Sequence, residues 1–79
     1  MNALEHAISS LNKLVNAHVR DNELTWAQWA QVELAVYLEV RDSKPANYAP
    51  YAGDGHILAL YQNARKTAES LAMEGGHAE

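Results

Sequence analysis

The sequence predicts an all-α fold, a small three-helix bundle with helices at about 3–20, 25–41 and 54–73. Three observations carry the prediction. The first and last segments each set their apolar residues on one face at helical spacing. The middle segment is apolar almost all round, as suits a helix covered on two sides. A residue able to cap a helix N-terminus stands at the head of each: Asn2, Thr25 and Asp54. Residues 1–74 are expected to form one domain and residues 75–79 a frayed tail.

The first helix gathers Leu4, Ala7, Ile8, Leu11, Leu14, Val15 and Val19 on one face, with Asn12, Glu5, Asn16 and Lys13 opposite. Asn2 followed three residues later by Glu5 is a capping-box pattern. His18 is the one irregularity, a polar ring on the apolar face. Asp21–Leu24 is a connection of the length that joins antiparallel helices.

At 100° per residue, Thr25–Arg41 leaves only Gln31, Ala35, Gln28 and Glu39 on a solvent-like strip. The alternation of Val32, Leu34, Val36, Leu38 and Val40 also fits a strand. Helix is preferred, because the apolar content runs on from Trp26 and no hairpin partner appears elsewhere. Glu33 lies inside the apolar arc, flanked by Trp26, Trp29, Tyr37 and Val40. In an up-down-up bundle the third helix would bring Arg65 or Tyr61 to its level. The expectation is that Glu33 sits at a seam between two contact surfaces and reaches water, with a Glu33–Arg65 pair, or Glu33 accepting from Tyr61, as the alternative.

Pro45 and Pro50 bias their predecessors to extended backbone and keep residues 42–53 from continuing the helix. With Tyr48 and Tyr51, they suggest a fixed path over the surface. In the third helix Ile57, Leu60, Tyr61, Ala64, Ala68, Leu71 and Ala72 share a face. Ala64 and Ala68 at its centre allow close approach, and Trp26 or Trp29 would fit over them. Gly75 and Gly76 are expected to stop the helix.

Composition excludes several function classes. Without cysteine there is no disulfide and no thiolate metal site, and the expected compartment is the cytoplasm. Net charge is −4, with the six bases scattered evenly, so the electrostatic footprint of direct nucleic-acid binding is missing. No apolar run approaches the roughly 20 residues of a membrane span. Asp54 and His56 could chelate, but no third ligand accompanies them. No nucleophile elbow or phosphate-binding glycine loop is present, so neither enzyme activity nor a cofactor is expected.

The residue types best suited to recognition are Trp26, Tyr48 and Tyr51, because aromatic rings bring large contact area with few rotors. With Glu33 and Arg65 they are the candidate contact residues. The sequence therefore predicts a non-catalytic protein-binding module, an adaptor or small inhibitor that docks on a larger protein. The wide apolar arc of 25–41 also predicts a homodimer. The alternative is a helical oligomer holding a small ligand between helices, through Tyr48, Tyr51, Arg65 and Glu33. An acidic nucleic-acid mimic ranks third.

Overall fold

The structure, a computed structural model, describes residues 2–77, with side chains through Met73. Helix α1 spans Ala3–Arg20, α2 spans Leu24–Arg41 and α3 spans Gly55–His77, with a single 3₁₀ turn at Ala49–Tyr51. The three-helix bundle matches the prediction. Among the described residues there is no strand, so the alternating run 32–40 is helical.

Asn2 caps α1 as its chemistry suggests, its side-chain oxygen accepting from the Glu5 N–H at 2.9 Å. Helix α2 starts differently from expectation. Thr25 lies inside the first turn, and the cap position is Glu23, which makes no side-chain cap bond. The reason is the tightness of the preceding turn. Asn22 adopts a left-handed φ of 59° and the Glu23 N–H returns to the His18 carbonyl. The Glu23 carboxylate is meanwhile held by His18 Nδ1 at 3.0 Å. His18 thus meets a partner on the next helix start and is only half-buried.

The C-terminus of α2 repeats this geometry. Ser43 takes φ 57°, its N–H bonds to the Val40 carbonyl, and the Lys44 N–H bonds to Glu39. Both ends are Schellman motifs, in which two otherwise unpaired carbonyls are satisfied by the departing chain. Asp54 opens α3, its carboxylate accepting from the N–H groups of His56 and Ile57. The helix then runs on through Gly75 and Gly76 to His77, past the predicted stop. Each glycine costs a helix only about 1 kcal/mol, less than is needed to break one already propagating. Ala78 and Glu79 of the predicted tail lie outside the described residues.

The direction of α3 is the main departure from an up-down-up bundle. Near its start, His56 stacks on Trp29, close to the start of α2. About two and a half turns further on, Arg65 reaches Glu39, close to the end of α2. The two contacts advance together, so α3 runs in the same general sense as α2, with α1 antiparallel to both. Residues 42–54 make this possible by running back along the flank of the bundle.

The core contains Leu4, Val36, Tyr37, Tyr61, Ala64 and Ala68, with Ala7, Ile8, Leu11 and Val40 packed around it. Ala64 and Ala68 do permit close approach, yet they share their cluster with Leu4, Val36 and Tyr37, and no tryptophan joins it. The parallel course of α3 puts both tryptophans at the opposite end. Because α3 begins beside Trp29, the tip of the α1–α2 hairpin stays uncovered. Leu14 (45% exposed), Val19 (50%), Leu24 (63%) and Trp26 (56%) lie in the open there. The expected fit of Trp26 or Trp29 over Ala64 and Ala68 is therefore overturned, and Leu14 and Val19, on the apolar face of α1, stay about half exposed.

Candidate functional site

Two faces of α2 carry polar chemistry, and they lie about 120° apart around the helix axis. On the first, Glu39 accepts from the Tyr61 hydroxyl and from Arg65, both at 2.5 Å. The Arg65 Nε also donates to Glu69 at 2.9 Å. Tyr61 is almost completely buried and its hydroxyl in turn accepts from the Asn47 N–H at 2.9 Å. Burial raises the Tyr61 pKa, and its bond to Glu39 adds to the rise. The hydrogen bond to Glu69, with that to Glu39, raises the pKa of Arg65.

This cluster also holds the long loop. Tyr48 meets the Tyr61 ring edge-on with centroids 5.2 Å apart, and Tyr51 lies against it at 5.0 Å. The fixed path expected of residues 42–53 is thus a property of Tyr61 as much as of the two prolines. Tyr51 is half-buried, whereas Tyr48 is 45% exposed. Between loop and helix lies a shallow cleft of about 370 Å³, lined by Ala46, Tyr48, Gln62, Asn63, Arg65, Lys66 and Glu69. Of the predicted site residues, Tyr48 and Arg65 line this cleft together.

Glu33 does not belong to that group. The alternative Glu33–Arg65 pair is absent, and so is a bond from Tyr61 to Glu33, because both partners go to Glu39. The register explains it. An antiparallel α3 would have placed Arg65 beside Glu33, and the observed parallel course carries it past, to Glu39. Glu39, placed on the solvent-like strip by helical spacing, is consequently covered by α3 and the loop. The inward reach of Arg65, at the margin of its own apolar face, was the available signal that some carboxylate was to be met.

The second face consists of Trp26, Trp29, Glu33 and Tyr37. The indoles meet edge-on at 5.1 Å, and the His56 ring lies 5.0 Å from Trp29 on its other side. Glu33 is half-buried, and burial raises its pKa from the ordinary 4.5. Burial also raises the Tyr37 pKa, with the Glu33 charge as a second cause. Among the described residues Glu33 makes no hydrogen bond or ion pair. Its oxygens are not sealed off, since no buried side-chain oxygen or nitrogen lacks a partner among those residues.

Among the described residues there is no cluster of three histidine, aspartate or glutamate side chains able to hold a metal ion. No helix of the described residues is long and apolar enough to cross a membrane. No family model, curated protein sequence or solved structure matches the chain.

Proposed function

We propose that the protein is a non-catalytic binding module that docks on a larger protein through the uncovered end of its α1–α2 hairpin. The observation that carries this reading is the group Leu14, Val19, Leu24 and Trp26, each about half exposed or more. Water-exposed apolar side chains grouped at one end of a small domain are disfavoured unless something covers them. Trp26 is well suited to anchor such a contact, because tryptophan is enriched at interaction hot spots. The absence of cysteine is compatible with the reducing cytoplasm, where we place the protein.

The test is affinity capture of the tagged protein from its own cells beside a Trp26→Ser, Leu24→Ser variant. A stoichiometric larger protein, retained by the native chain and lost from the variant, is the expected result. Sedimentation equilibrium addresses the homodimer, which would cover the same residues with a second copy. A dimer that dissociates in the variant, with no larger partner captured, would replace the docking reading. The cleft between Tyr48 and Arg65 favours a second reading, a small polar ligand, which native mass spectrometry of the purified protein would reveal.

A further inference from the structure

Trp26, Trp29, Glu33 and Tyr37 fall within about 80° of one another around α2. Along this strip exposure falls from Trp26, in the open, through half-buried Trp29 and Glu33 to buried Tyr37. Glu33 stands one turn beyond Trp29, the distance at which side chains on a helix meet. The strip is therefore a run of aromatic surface, widened by His56, that leads to a carboxylate.

That carboxylate is distinctive for lacking a cation. Of the two half-buried carboxylates among the described residues, Glu39 has Arg65 and Tyr61, and Glu33 has neither hydrogen bond nor ion pair. The three arginines are already engaged, Arg20 with Asp21, Arg41 with Asp42, and Arg65 with Glu39 and Glu69. A partly desolvated charge is costly until it is paired. The protein keeps one such charge beside two indoles, and no group among the described residues pairs with it.

We infer that this face of α2 is a docking site for an arginine side chain carried on an apolar segment of the partner protein. The inference rests on the protein-binding reading and specifies the partner's chemistry. A guanidinium can fork onto a carboxylate while its flat face stacks on an indole, and it is more weakly hydrated than an ammonium. The apolar residues flanking that arginine would cover Trp26, which stands in the open at the outer end of the strip. The net charge of −4 favours the approach of a basic segment.

The probe is a blocked amphipathic peptide with one arginine among leucines and alanines, compared with a twin carrying glutamine there. Trp26 and Trp29 are the two tryptophans of the chain, so their fluorescence reports occupancy directly. The arginine peptide is expected to bind about tenfold or more tightly than its twin, the difference a charged hydrogen bond makes. In Glu33→Gln, with helix content unchanged by circular dichroism, that preference should disappear. Equal binding of the twins to the native protein overturns the inference, as does a preference that survives in Glu33→Gln. Absence of binding by either peptide also overturns it. In each of those cases a cellular partner retained by the native chain and lost from Trp26→Ser leaves the docking reading standing on its own.

Discussion

Glu33 and Glu39 stand six residues apart on one helix, and among the described residues only Glu39 meets a cation. For Glu33 the consequence is a pH-dependent cost. Burial raises its pKa above 4.5, so the folded chain holds that proton more tightly than the unfolded chain does. The stabilising contribution of the protonated form is full below pH 4.5 and is lost as pH rises through the folded value. Glu33→Gln should therefore unfold at a higher temperature than the native chain at pH 7, with the gap closing near pH 4. A calorimetric scan of both proteins at the two pH values checks it, and a gap of equal size at both would contradict the assignment. At the Glu39 cluster the expectation is opposite in sign. Tyr61→Phe removes a hydroxyl that donates to a half-buried carboxylate and accepts from the loop, and should cost about 1–3 kcal/mol in urea unfolding.

At the scale of elements, the helix ends decide more than helix propensity does. The tripeptide Val-Arg-Asp precedes the left-handed residue at both Schellman ends, Asn22 after α1 and Ser43 after α2. In each the arginine reaches the adjacent aspartate, at 3.2 Å for Arg20 and 3.0 Å for Arg41. Asparagine tolerates the left-handed region better than serine, which meets a penalty of about 1–2 kcal/mol for a side chain there. Ser43→Gly should accordingly stabilise the protein by up to about 1 kcal/mol, and Asn22→Gly by less, read as shifts in thermal midpoint. Amphipathic spacing and the Asn2 and Asp54 caps made α1 and the start of α3 legible. The start of α2 was not, because a left-handed asparagine leaves little mark in composition, whereas Thr25 followed by Gln28 resembles a cap wherever it occurs.

Over the whole molecule, the parallel course of α2 and α3 separates a packed end from an uncovered one. Leu4, Val36, Tyr61, Ala64 and Ala68 fill the first, and the hairpin tip projects beyond the second. A side chain more than half exposed, as Leu24 and Trp26 are, contributes little to folding. Leu24→Ser with Trp26→Ser should therefore change unfolding free energy by no more than about 1 kcal/mol, some 0.5 kcal/mol per exposed site. The same variant should elute earlier from a hydrophobic-interaction column. A large loss of stability would mean that the tip supports the fold, contrary to its exposure.

The sequence by itself determined that there are three helices, roughly where they lie, and that 25–41 must be covered on two sides. Those properties follow from local spacing and capping, which depend on neighbours three or four residues away. Only the tertiary structure decided which acid meets Arg65, where the tryptophans go and which apolar residues stay in water. All three depend on the direction of α3. That direction depends on the path of residues 42–54, which Tyr61 holds through one backbone hydrogen bond and two ring contacts. A loop of that length can join helices in either sense. The choice lies in packing between residues far apart in the chain, to which helical periodicity is blind.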